Sequence, residues 1–312
     1  MCSDNQDFHS HIDQSRGRPN NIALHGLTKW YGKSRGIIDL SFEVYAGEVF
    51  GFLGPNGSGK TTAMRTILGL IRPTAGSASL LGRVNPIGDL SFRNRIGYLP
   101  GVAALYDNYT ARGYLHFIAR VRKLDLADVI NAYGERLDLE LDQHIHDLSK
   151  GNRQKVALIQ AFMHSPELLF LDEPTSGLDP LVQREFETML AETRTRGASV
   201  LLSSHVLSEV EHLADRVAII DQGKAVAIDE ISRLKSRARR EIELVFQNPV
   251  SASDFAGIEG IKEVETRGHT AHCIITGSER ELLRRSVELG VVEVRTKESS
   301  LEEIFLDLIG KR

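Results

Sequence analysis

The stretch GPNGSGKTT, residues 54–62, limits what this chain can fold into more than any other segment. It fits G-x-x-x-x-G-K-[ST], the pattern of a phosphate loop. The apolar run VFGFLG (49–54) leads into it. The segment KTTAMRTILGLI (60–71) leads out, with Met64, Ile67, Leu68 and Ile71 on one helical face. A strand must deliver the loop and a helix must leave it. Glycine at 57 and 59 permits the dihedrals and close approach by which backbone N–H groups ring a phosphate. Gly54, Pro55, Asn56, Gly57, Ser58, Gly59, Lys60, Thr61 and Thr62 are therefore candidate nucleotide contacts. Lys60 would reach the β- and γ-phosphates, and the Thr61 hydroxyl would bind Mg²⁺.

Around this loop, short apolar runs alternate with amphipathic segments. RIGYLP (95–100), LLFLD (168–172), SVLLSS (199–204) and RVAIID (216–221) read as strands buried on both faces. PLVQREFETMLAETRTRG (180–197) reads as a helix with Pro180 at its first position and Gly197 just past its end. The alternation predicts an α/β core on a parallel sheet, with a mostly helical insert between Leu99 and Leu168. Beyond a charged hinge, SRLKSRARR (232–240), the pattern changes. EIELVFQ alternates like a half-buried strand. Ser278 with Glu281, and Ser300 with Glu303, are spaced as capping boxes. A small α+β domain over 238–312 follows from this, after a disordered tail over 1–21 and a core over 22–235.

Two further segments carry chemistry. LLFLDEP places Asp172 and Glu173 side by side at a strand end, where adjacent carboxylates repel unless something uses them. Asp172 suits the metal that Thr61 also touches. Glu173 can orient or deprotonate a water. His205 follows the strand SVLLSS, within reach of a terminal phosphate. In HDLSKGNRQKVALIQAF (146–162), Leu148–Asn152 run straight into a helix with no acidic residue in its first turn, a start suited to an anion.

The net charge of −4 offers no basic field for nucleic acid, so no nucleic-acid partner is expected. The two cysteines, Cys2 and Cys273, set no disulfide framework and suit a reducing cytosol. His9 and His11 in the tail are read as solvated rather than metal-binding. No run of 18 apolar residues, the length of a membrane-spanning helix, is present.

In order and spacing, these segments resemble the ATP-binding subunit of an ABC transporter over residues 22–235. Gly54–Thr62 matches the phosphate loop and Leu148–Asn152 the signature motif, usually LSGGQ. Leu168–Glu173 matches the magnesium strand with its catalytic glutamate. Ser176-Gly177-Leu178-Asp179 matches the D-loop, His205 the switch histidine, and Tyr31 the aromatic that stacks on adenine. The resemblance implies a P-loop NTPase core with a helical subdomain near 102–165. It implies ATP and Mg²⁺ as bound groups, with metal contacts at Thr61 and Asp172 and catalytic roles for Glu173 and His205. It also implies that Ser149, Gly151 and Asn152 of one subunit close on the nucleotide held by another. The partners so implied are a second ATP-binding subunit, here a homodimer, and a separate membrane permease, with the chain peripheral on the cytoplasmic side of the membrane. The 101–114 loop, with Tyr106 and Thr110, and the C-terminal domain resemble the exporter type.

The chain departs from the family pattern at three places. Lys150 and Asn152 replace glycine and glutamine in the signature; both keep polar groups toward a phosphate. Gly101 stands where a glutamine usually contacts Mg²⁺, which predicts an ATPase with weaker water or metal positioning there. A soluble ABC ATPase acting as a regulator, or on ribosomes or DNA, is the rival reading. A single copy, acidic charge and only about 112 residues between Lys60 and Asp172 weigh against it.

Overall fold

The computed structural model describes residues 19–84, 90–237, 240–276, 278–297 and 300–309. Cys2, His9, His11 and most of the expected tail lie outside the described residues, as do positions 238–239 of the hinge. In chain order the elements are β1 (Asn20–Tyr31), β2 (Ser34–Tyr45), β3 (Val49–Leu53), α1 (Lys60–Ile67), β4 (Ala75–Leu80), β5 (Arg83–Val84), α2 (Leu90–Arg93) and β6 (Ile96–Leu99). Next come α3 (Ala111–Val121), α4 (Ala127–Arg136), α5 (Lys150–Phe162), β7 (Leu168–Asp172), α6 (Pro180–Thr195), β8 (Ser199–Ser204), α7 (Leu207–Leu213), β9 (Arg216–Asp221), β10 (Lys224–Glu230) and α8 (Ile231–Arg237). The last are β11 (Arg240–Phe246), β12 (Ile261–Arg267), β13 (Thr270–Ile275), α9 (Arg280–Glu288), β14 (Val291–Lys297) and α10 (Leu301–Ile309).

The central sheet runs β10-β9-β3-β8-β7-β6, parallel except for the antiparallel β9–β10 hairpin at its edge. Its strands are apolar on both faces because both are covered. Val49, Leu169, Leu171, Val200 and Leu202 pack against α3, α4, α5 and α6. Phe50, Phe52, Phe170, Leu201 and Ile220 face α1 and a second, antiparallel sheet of order β2-β1-β4-β5. Sequence reading missed that second sheet. The register of β1 against β2 shifts four times and Gly26 takes a φ of 60°, so the period-2 signal of a long hairpin is broken.

Two local expectations are corrected. Helix α1 stops at Ile67, capped at Leu68 with Gly69 at φ 67°, so the apolar stripe does not continue helically to Ile71. Helix α9 has Glu279 as its N-cap without a side-chain cap bond. Ser278 Oγ instead accepts from the Arg280 N–H at 3.3 Å, so the box with Glu281 does not form. In the second box, Ser300 Oγ accepts from the Glu303 N–H at 3.3 Å, as its spacing predicts.

The C-terminal strands form a four-stranded antiparallel sheet, β12-β13-β11-β14, with its own core around Leu244, Phe246, Phe255, Cys273 and Leu282. Helix α10, grouped with this unit from sequence, packs elsewhere. Its Leu301 and Ile304 are buried with Val210 of α7, Leu234 of α8 and Leu53, Val217 and Ile219 of the central sheet. The Leu301 N–H donates to Glu211 Oε2 of α7 at 2.9 Å, and Lys235 pairs with the same carboxylate at 2.5 Å.

Candidate active site

The C-terminal ends of parallel strands are where open α/β sheets bind ligands, and four strand ends meet here. β3 runs into the phosphate loop, β7 ends at Asp172, β8 delivers His205, and β6 is followed by Gly101. Together they border a cleft of about 410 Å³ lined by Asn56, Gly57, Gly59, Lys60, Thr61, Thr62, Gly101, Asp172, Glu173 and His205. Gly59 caps α1 with φ 111°, a conformation open to glycine, and so turns the loop into the helix.

Asp172 is fully buried. Its Oδ2 accepts from Thr61 Oγ1 at 2.7 Å and its Oδ1 from Ser203 Oγ. Glu173 leaves the strand with φ 54°, an uncommon conformation for a residue with a side chain. Its backbone N–H donates to Ser203 O at 3.0 Å, while its carboxylate turns into the cleft. There Oε2 lies 2.5 Å from His205 Nδ1 and Oε1 lies 3.8 Å from Lys60 Nζ. Lys60, 6% exposed, donates to Gly54 O at 2.6 Å and Pro55 O at 3.2 Å. Burial pushes its ammonium below the ordinary lysine value, against the opposing pull of Glu173 and Asp172. The centre thus holds one buried cation, two carboxylates and a histidine around an open cleft.

Other sequence candidates lie elsewhere. Ser58 is buried in the loop wall. Tyr31 ends β1, half exposed, with Lys29 Nζ 5.2 Å from its ring centre, and is not among the residues lining the cleft. Ser149, Gly151 and Asn152 are not cleft-lining residues either. They form the start of α5, where Ser149 Oγ accepts from the Asn152 N–H at 3.2 Å. A Cβ on Gly151 would come within 2.8 Å of Gly177 O, so the signature and D-loop segments touch within one chain. Buried Gln154 reinforces this, donating to Pro174 O at 3.0 Å. Sequence reading passed over Gln154, and over Arg35 and Arg65, which line the cleft together with Ser176 of the D-loop. Gln154 was hidden because an amide on a buried helix face has no spacing signature. Gly101 sits against the carboxylate: a Cβ there would lie 3.2 Å from Asp172 Oδ2.

The family model "ABC transporter" matches residues 37–176. The bacitracin transport ATP-binding protein BcrA of Bacillus licheniformis is 35% identical over 295 residues, 91% of this chain and 95% of that one. The chain belongs to the ABC transporter family. It is an ABC ATPase subunit. The Nod factor export ATP-binding protein I of Rhizobium meliloti is 33% identical over 302 residues, 93% of this chain and 88% of that protein. Among solved structures, an ATP-binding subunit of an ABC transporter superposes with a TM-score of 0.64 at 30% identity, covering 69% of this chain and 91% of that one. The ATP-binding cassette MJ0796, solved as a dimer bound to ADP and Pi, shares the fold with a TM-score of 0.62 at 20% identity, over 67% of this chain and 98% of that one.

Proposed function

We propose that this ABC ATPase subunit dimerises with a second copy around two ATP molecules and drives a separate membrane permease of exporter type, working peripherally on the cytoplasmic side of the membrane. The observation that carries this reading is the Thr61–Asp172 hydrogen bond, 2.7 Å long between residues 111 positions apart, with Glu173, Lys60 and His205 gathered around it.

Lys60 and the loop amides would hold the triphosphate. Glu173, fixed by its unusual backbone and by His205, is placed to accept a proton from a water attacking the γ-phosphorus. The bond from that phosphorus to the ADP oxygen then breaks, giving ADP and phosphate. His205 would keep Glu173 oriented and donate to the γ-phosphate. Mg²⁺ fits the donor set, since Thr61, Asp172 and Ser203 present only oxygen atoms beside the phosphate cleft. When bound, it would neutralise charge on the β- and γ-phosphates.

Ser149, Gly151 and Asn152 stand outside the cleft of their own chain, which supports a site closed by a partner's α5. That helix start carries no acidic residue in its first turn, so its N–H groups favour an incoming phosphate. ATP then acts as adhesive between subunits, and hydrolysis releases them by removing the affinity that favoured closure. Among the described residues no helix is long and apolar enough to cross a membrane, so transport needs a spanning partner. The name of the bacitracin relative supports transport, and that of the Nod factor relative supports export. Pull-down from solubilised membranes tests the reading: capture of a multi-helix membrane protein, with ATP turnover lost in Lys60→Ala, is expected. Capture of ribosomes or DNA with no membrane protein would overturn it.

A further inference from the structure

The cleft carries a cation that belongs to neither the phosphate-loop motif nor the matched family segment. Arg35 lies on β2, before the span 37–176, yet it lines the cleft with Asn56, Gly57 and Lys60. It pairs across the hairpin with Trp30, beside the Tyr31–Ser34 pair that closes the turn. Its Nη1 donates to Gln222 Oε1 at 3.0 Å. That partner is a neutral amide, so this contact leaves the guanidinium charge uncompensated.

Gln222 and Gly223 form the two-residue turn between β9 and β10, both with positive φ, 48° and 76°. Such turns favour asparagine, aspartate or glycine at the first position, where a longer side chain gains nothing for the backbone. Glutamine stands here instead, and its extra carbon carries the amide to Arg35. The turn is itself anchored to the site. The Gly223 N–H donates to Ser58 O of the phosphate loop at 2.8 Å, and Gly223 O accepts from the Ile38 N–H of β2 at 2.7 Å. An exposed bond to a neutral amide adds little stability, so a role in folding alone explains the pairing poorly.

We propose that Arg35 is a second phosphate-binding side chain, held in place by Gln222, whose guanidinium donates to the polyphosphate of the bound nucleotide. This rests on the nucleotide site proposed above. A planar fork of N–H donors suits phosphate oxygens, and the contact would draw the β1–β2 hairpin, Tyr31 included, onto the nucleotide. The contact would read the phosphates that ATP and ADP share rather than the base.

Nucleotide titration of the full chain, with ATP and ADP as probes and thermal melting to verify folding, tests this. Arg35→Ala should weaken both nucleotides ~10-fold, and the loss in turnover should fall on KM more than on kcat. Arg35→Lys should recover part of the affinity, and Gln222→Ala should weaken binding by less than Arg35→Ala. Folded Arg35→Ala and Gln222→Ala proteins whose affinities lie within about twofold of wild type, well below that tenfold step, would overturn the inference while leaving the site standing. Wild-type protein that bound no ATP would instead remove the nucleotide site itself, and the inference with it.

Discussion

At the scale of single residues, the site sets a buried carboxylate and a partly exposed one to different tasks. Asp172 is enclosed and bonded by two hydroxyls, which suits a fixed metal anchor. Glu173, 20% exposed and turned by a positive φ, faces the cleft. Glu173→Gln should therefore bind ATP but lose about 10²–10⁴-fold in turnover, as removal of a general base does. A phosphate-release assay beside nucleotide titration separates the two effects, and unchanged turnover would remove Glu173 from the chemistry. Gly101 offers a sharper case. An added Cβ would lie 3.2 Å from Asp172 Oδ2, so the carboxylate must give by a few tenths of an ångström to admit it. Gly101→Gln should accordingly keep or raise ATP turnover, and a severe loss in a folded variant would show that this position is not the family's glutamine position. The phosphate loop, the acid pair and His205 were legible because each motif has fixed spacing and sits at a strand end. Gln154 and Arg35 were not, since only tertiary contact reveals what an isolated amide or arginine faces.

At the scale of elements, the buried parallel strands were legible as continuous apolar runs, and α6 through its proline start and glycine stop. The β1–β2 hairpin was obscured by its irregular register, and the placement of α10 by distance along the chain. Its stripe Leu301, Ile304, Phe305 and Leu308 predicts an amphipathic helix without saying which surface it covers. That surface is made by α8, the central sheet and α7, the helix directly after His205. Leu301→Ala should open a cavity at this contact and cost about 2–5 kcal/mol locally. Faster amide exchange in α7 and α10, with the β11–β14 sheet unchanged, is the expected readout; equal protection throughout would place α10 elsewhere. Glu211 adds a pH dependence. Burial works to raise its pKa, but the Lys235 ammonium and the Leu301 N–H outweigh it and hold the carboxyl below its ordinary value. Its contribution is thus present above the ordinary glutamate pKa and lost as pH falls through the depressed folded value. Docking of α10 should loosen in that acidic window, and Glu211→Ala should abolish the dependence.

At the scale of the whole molecule, two covered faces of one sheet make a rigid frame, and the nucleotide chemistry is gathered at its strand ends. Acid should weaken that frame through His164. Burial, then nearby Arg122, lower this histidine from 6.5 to about 4. The unfolded chain takes up its proton first, so stability should decline as pH drops from 6.5 towards 4. A chemical-denaturation series across that window checks this, and His164→Gln should flatten the slope. The larger question is why the cleft, complete in its loop, acids and histidine, stays open on one side while α5 presents an anion-ready start to solvent. The proposed two-fold pair of subunits would answer both, each α5 covering the other's nucleotide. The direct test is the mass in solution of the Glu173→Gln protein, with and without ATP, by light scattering. A site shared between subunits predicts a monomer without nucleotide and a dimer with ATP, reverting to monomer when Ser149 is replaced by a bulky acidic residue. A particle that stays monomeric when saturated with ATP, or wild-type turnover per chain that does not rise with protein concentration, would contradict it.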